Sequence, residues 1–176
     1  TDKIRIFQSK YDPIQGLYSE CRILDSPGNQ ECEKNWIAIN NTDHIIYGWS
    51  PLRVGTIHGT ELAIHTQHET PWYFKLFRGS AVTFQPPQYP GETWALVHTV
   101  EYCQPRKYFH LFVRLGEHYK VKSISRPFVF RAKTIEYCIG CMPDPAFTTL
   151  TCVFSTMDDN PRMIDIPVAS LEWIQV

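Results

Sequence analysis

No apolar run in these 176 residues approaches the length that carries a helix across a bilayer, and no signal peptide is visible. Neither sign of charge dominates: 17 basic side chains stand against 18 acidic ones, for a net charge of −1. A surface without a strong field excludes the ordinary nucleic-acid and membrane-surface binders. Cysteine is present six times but evenly spread, at Cys21, Cys32, Cys103, Cys138, Cys141 and Cys152. Such spacing is not that of a small disulfide scaffold, so buried, reduced thiols and a cytoplasmic location are expected. A sustained helical period is missing too, apart from a short turn expected over 169–173. What is abundant is aromatic side chain (14%) together with thirteen prolines, a mixture that favours strands and turns. The length suffices for one domain with a real core. Because the first residue is Thr1 and not methionine, a piece of something longer, or a trimmed chain, is expected.

Metal-like spacings are few. Cys138-x-x-Cys141 is half of a zinc site, and Cys152 alone does not supply the second ligand pair. His65-x-x-His68 lies in a strand-like segment, where positions three apart point to opposite faces. No metal and no cofactor are expected. Asn40-Asn41-Thr42 is a formal glycosylation acceptor, but the free-thiol pattern argues against a secreted protein.

Short alternating segments recur at regular intervals, and strands are expected over 4–9, 17–24, 36–40, 45–50, 52–57, 61–66, 80–84, 93–102, 108–115, 121–130, 135–141, 149–156 and 163–168. The chain is all-β. A weak repeat aligns the segments beginning at Ile45, Ala95 and Cys152, and those beginning at Leu52, His110 and Met163. Offsets of roughly fifty to sixty residues match four-stranded units repeated radially, as in a propeller. An antiparallel sandwich would space its strands in much the same way; the similar offsets favour the propeller. The blades would be a tail over 1–30, two full blades over 31–70 and 71–131, and a partial blade over 132–176.

The stretch from Phe77 to Gly140 sets Arg, His, Tyr and Glu at strand starts and ends. Where strands converge on one mouth, these residues would form a single polar pocket. Glycosidic chemistry uses two carboxylates facing each other across the scissile bond. Glu33 and Glu136 stand beside the expected innermost strands of their blades, and Glu101 lies at a strand end beside Tyr102. For each, the alternative is a solvated charge or an ion pair with Arg78 or Arg106. Arg78, His98, Tyr102, Arg106, Tyr108 and His110 suit an anion pocket, since guanidinium groups bind phosphate or carboxylate bidentately. Gly79, beside Arg78, would let a ligand approach the backbone. Arg162, after Asn160-Pro161, is expected on a solvent-facing turn. Among the aromatics, Trp49 at a strand end is the best platform for a sugar ring, while Trp94 reads as core.

Several short motifs occur in a suggestive order: Cys32-Glu33-Lys34-Asn35-Trp36, Arg78-Gly79-Ser80, His98 with Tyr102, Arg106-Lys107-Tyr108-Phe109-His110, Ser125-Arg126-Pro127-Phe128-Val129-Phe130 and Ile135-Glu136-Tyr137-Cys138. Together they make residues 31–168 resemble the five-bladed β-propeller carbohydrate-active proteins, the clan of arabinanases, invertases, levansucrases and mannoside phosphorylases. The nearest likeness is to propeller modules found beside glycosyltransferases in bacteria and large DNA viruses. That resemblance implies a glycan partner, with phosphate or a nucleotide-sugar as further ligands. Such modules begin with an acidic-plus-arginine motif on an earlier blade, which lies before Thr1 or is absent. Further blades, a linked domain or a partner would then complete the ring. Two classes follow: an enzyme on glycosidic bonds (hydrolase, phosphorylase, or the accessory half of a glycosyltransferase) and a non-catalytic carbohydrate-binding module. A protein-interaction propeller is a third, with no feature in its favour. Two opposed carboxylates within roughly ten ångströms at the axis would mark the enzyme, and an axis of Arg, His and aromatics the binder.

Overall fold

A computed structural model describes residues 3–176. Its strands form four antiparallel sheets. A hairpin of β1 (Phe7–Asp12) and β2 (Leu17–Ile23) stands by itself. A four-stranded meander follows, made of β3 (Ile37–Ala38), β4 (His44–Trp49), β5 (Leu52–His58) and β6 (Glu61–His68). After a 3-10 turn at Trp72–Leu76 comes a second meander: β7 (Arg78–Gly79), β8 (Thr93–Glu101), β9 (Lys107–Leu115) and β10 (Val121–Ser125). The third is β11 (Glu136–Pro143), β12 (Thr149–Thr156) and β13 (Asn160–Pro167). The last strand, β14 (Trp173–Gln175), returns to pair with β10, so the second sheet has five strands in the order β14-β10-β9-β8-β7.

The composition of β8 explains the layering. Its first six residues, from Thr93 to His98, are all buried, as in a strand covered on both faces. Alternation then divides them. Ala95 and Val97, with Leu111 and Val113 of β9, pack against Ile37, Ile46, Leu52 and Val54 of the four-stranded sheet. Trp94 and Leu96, with Phe112, pack with Phe130 against Cys138, Cys152 and Phe154 of the three-stranded sheet. The five-stranded sheet is therefore the middle of three layers. Each fully buried large apolar side chain contributes about 1.5–3 kcal/mol, so the two clusters dominate stability. The β1–β2 hairpin joins neither cluster, and every residue of β2 is exposed.

Several segments depart from expectation. The strand expected over 80–84 shrinks to Arg78–Gly79 and an isolated bridge between Phe84 and Trp94. Between them the Thr83 amide bonds to the Ala38 carbonyl, which pulls the chain toward the neighbouring sheet. The strand expected over 121–130 stops at Ser125, because Pro127 has no amide to continue a ladder. Phe128 and His110 still exchange both backbone bonds. The Trp72–Leu76 turn and the three-residue β14 carry no periodic signal and were not anticipated.

Candidate functional site

Backbone register assembles the site. Arg78 pairs with His98, His98 with His110, and His110 with Phe128, so these four form one transverse row across β7, β8, β9 and the following segment. Directly opposed residues share a face, and this is the face that carries Trp94, Leu96 and Phe112 deeper in the sheet. The apolar stripe of the core thus ends in histidine and then in arginine.

His98 is almost fully buried, and its Nδ1 lies 2.8 Å from Ser80 Oγ. Its ring stacks on Tyr108 at 5.3 Å between centroids and meets the edge of Tyr137 at 5.4 Å. Burial, reinforced by the charges of Arg78 and Lys34, pushes its pKa down to about 4, so the imidazole is neutral at pH 7. His110 is wholly buried, with its ring 4.3 Å from Phe130, and neither ring nitrogen has a partner. Burial and then the neighbouring His98 lower its pKa to about 3. His110 is therefore a packing residue, enclosed by aromatic rings, and not the ligand contact expected from the sequence.

The open end of the row is cationic. Arg78 Nη2 donates to Tyr102 Oη at 2.5 Å. The Arg78 and Arg106 guanidinium carbons stand 5.8 and 5.6 Å from the centroid of the Tyr102 ring, which is itself exposed. Among the described residues, no carboxylate forms an ion pair with Arg78, Arg106 or Lys34. A Cβ at Gly79 would overlap the Asn35 carbonyl oxygen and the Ile37 side chain. The glycine lets β7 seat against residues 35–37. The room for a ligand that the sequence leads one to expect beside Gly79 is instead filled by Asn35 and Ile37.

The three glutamates share no partner. Glu33 accepts hydrogen bonds from Ser26 Oγ, from Trp36 Nε1 at 3.0 Å and from Tyr47 Oη at 3.3 Å, beside the four-stranded sheet. Glu136, fully buried on β11, accepts from the backbone amides of Phe130, Arg131 and Ala132 at 2.8, 3.1 and 2.9 Å. Its charge organises that loop. Glu101 pairs with Lys107 at 3.5 Å on the surface. Trp49 is buried in the first core cluster against Phe77, so no ring face is left for a sugar. Arg162 is half-buried on β13, opposite Phe154, with Nε enclosed and unpartnered, and not on a solvent-facing turn. Of the six thiols, Cys138, Cys141 and Cys152 are buried, whereas Cys21 and Cys32 are exposed. His65 and His68 diverge: the His65 ring lies tilted 4.7 Å from that of His44, and His68 bonds to the His118 carbonyl oxygen.

Sequence reasoning missed Lys34, Ser80 and Tyr137 as members of the cluster. Each directly follows a position already singled out (Glu33, Gly79 and Glu136), and in extended chain the neighbour of a buried residue points the other way.

A groove of about 370 Å³ lies elsewhere, lined by Phe128, Phe130, Ile164, Ile166 and Leu171, with the Arg126–Glu172 ion pair at its rim. It is largely apolar; a second groove of about 450 Å³, lined by Tyr89, Glu92 and Tyr119 among others, is more polar, and neither includes Arg78 or Arg106. Among the described residues, no helix is long and apolar enough to cross a membrane. Compared with protein-family models and with curated proteins, the chain has no match.

Proposed function

We propose that this chain is a propeller-type carbohydrate-recognition module, and that the mouth formed by Arg78, His98, Tyr102 and Arg106 binds an anionic sugar, carrying a phosphate or a carboxylate. The observation that carries the reading is the pair of guanidinium groups about the exposed Tyr102 ring, with no carboxylate partner and a neutral imidazole at its inner edge. Guanidinium supplies bidentate donors to the anion, the tyrosine ring supplies an apolar face for a pyranose, and Tyr108 with His98 offers directed polar groups. Three meanders, stacked face to face in chain order, support consecutive propeller blades.

Binding is favoured over glycosidic catalysis because both buried glutamates are already engaged. Oxygens that accept from three amides, or from a hydroxyl, an indole and a phenol, are poorly placed to move a proton or attack an anomeric carbon. Calorimetric titration with glucuronate, glucose 6-phosphate, inorganic phosphate and uncharged glucose tests the reading. The charged sugars are expected to bind, and glucose is not. Absence of binding by any charged sugar overturns the proposal, and phosphate binding as tight as that of the sugar phosphate removes its carbohydrate part.

A further inference from the structure

Three of the buried groups that this reading leaves unused are thiols on the three-stranded sheet. Cys141 on β11 and Cys152 on β12 are directly opposed in register, both point into the core, and their sulfurs are 3.4 Å apart. Opposed residues of an antiparallel pair have Cα atoms about 4.5–5.5 Å apart, inside the roughly 4.4–6.8 Å that a disulfide spans. Bringing the sulfurs from contact to bonding distance therefore needs side-chain adjustment and no displacement of the strands.

We propose that Cys141 and Cys152 form a thiol–disulfide modification site, closed into a cross-strand bond by a low-molecular-weight disulfide. One cysteine thiolate attacks the reagent's S–S bond and releases one reagent thiol. The second cysteine then attacks the mixed disulfide, forms the Sγ–Sγ bond and releases the other reagent thiol. The two cysteines lose two protons and two electrons, and the reagent disulfide is reduced to two thiols. Access comes through β11, an edge strand whose ladder is interrupted by a bulge between Cys138 and Gly140. Cys138 also neighbours Cys152, but it is a poorer candidate: its register partner is Phe154, and its thiol bonds to the carbonyl oxygens of Gly140 and Val153 at 3.2 and 3.3 Å.

The test is incubation of the native protein with oxidised glutathione near pH 8. The Cys138 contact lowers the Cys152 pKa, but the hydrogen bond to Cys141 and burial outweigh it and hold the thiol above its ordinary range. Attack therefore proceeds from states in which the β11 edge has opened. Alkylation, digestion and peptide mapping follow. Glutathione on the exposed Cys21 and Cys32 is the internal control for the reagent. The expected result is a peptide joining Cys141 to Cys152, with an upward shift in the melting temperature that Cys152→Ser abolishes and Cys138→Ser retains. Should Cys152→Ser fail to fold, the map of the unsubstituted protein decides alone. Full alkylation of Cys141 and Cys152 after Cys21 and Cys32 have reacted overturns the proposal, as does a cross-link through Cys138.

Discussion

His98 and His110 face each other directly across β8 and β9 with ring centroids 6.2 Å apart, yet only His98 has a hydrogen-bond partner. One register pair thus marks the boundary between site and core. Outward of His98 lie Arg78, Tyr102 and Arg106; inward of His110 lie Phe128, Phe130 and Phe112. The same residue type does different work on two neighbouring strands.

His110→Phe is expected to leave stability unchanged or raise it. The imidazole buries two unpartnered nitrogens, and an unsatisfied buried polar group costs about 1–3 kcal/mol. A phenyl ring suits the aromatic neighbours and carries no such cost. Urea unfolding of both proteins at pH 7 measures the difference, and a loss above about 2 kcal/mol would show that the nitrogens are satisfied in solution.

Stability should fall on acidification, starting from about pH 6.5. An unfolded histidine takes its proton near 6.5, folded His98 only near 4 and folded His110 near 3. Between those limits the unfolded chain binds more protons, so the histidine contribution is complete above pH 6.5 and is lost as pH drops through 4 for His98 and through 3 for His110. Each shift corresponds to about 3–5 kcal/mol, and the two rings repel when charged, so their contributions are not a simple sum. Glu92 adds a later loss. Burial would raise its pKa, but the bonds from Arg114, Lys122 and Trp94 outweigh that and hold it at about 2, so its contribution is present above pH 4.5 and fades below. Denaturation midpoints measured between pH 7.5 and 3.5 check the profile, and His110→Phe should flatten its upper part.

Gly79→Ala should destabilise the fold by about 1–3 kcal/mol, the usual cost of forcing extra volume into a packed interface. The added methyl meets backbone at Asn35 and a buried side chain at Ile37, neither of which can swing away. Thermal unfolding reads the loss. A neutral substitution would mean that β7 does not sit against residues 35–37.

Glu136→Gln should cost about 2–3 kcal/mol of stability while leaving ligand affinity within a factor of about two. The amide offers one acceptor oxygen where three backbone donors converge, and its own NH₂ opposes one of them. Chemical denaturation and calorimetry on the same sample separate the two effects. Lost affinity without lost stability would move Glu136 from loop organiser to ligand contact.

Arg78→Ala should weaken binding of a charged sugar about tenfold to a hundredfold, corresponding to about 1.5–3 kcal/mol for a charge-assisted bond. Arg22, fully on the surface of the hairpin, is the control, since Arg162 is half-buried. Arg22→Ala should leave affinity unchanged. Equal effects from the two substitutions would return Arg78 to the role of a surface charge.

Much of the fold was legible because strand structure is written locally. The segments 93–102, 108–115 and 149–156 match β8, β9 and β12 to within a residue at either end, and β4, β5 and β6 to within two. β12 alternates apolar and polar side chains with the period of the pleat, whereas β8 and β9 are short runs of strand-forming apolar residues covered on both faces. Short elements without alternation, such as β14, left no trace. Arg78 and His98 were singled out in the sequence as members of one cluster, but that they lie directly opposite each other is a matter of register, which only the fold shows.

What the amino-acid sequence determined by itself is the all-β character, the places where most strands run, and the collection of arginine, histidine and tyrosine near one set of strand ends. Those follow from side-chain shape and from a two-residue period, which each segment carries without its neighbours. The stacking of three sheets decided the rest. It turned Trp49 into core, closed aromatic rings over His110, directed Glu136 to three backbone amides and filled the space beside Gly79 with Ile37. These outcomes depend on which sheet covers which face, a contact between residues tens of positions apart. Burial and hydrogen-bond partners are set there, where layers meet, and no local pattern encodes them.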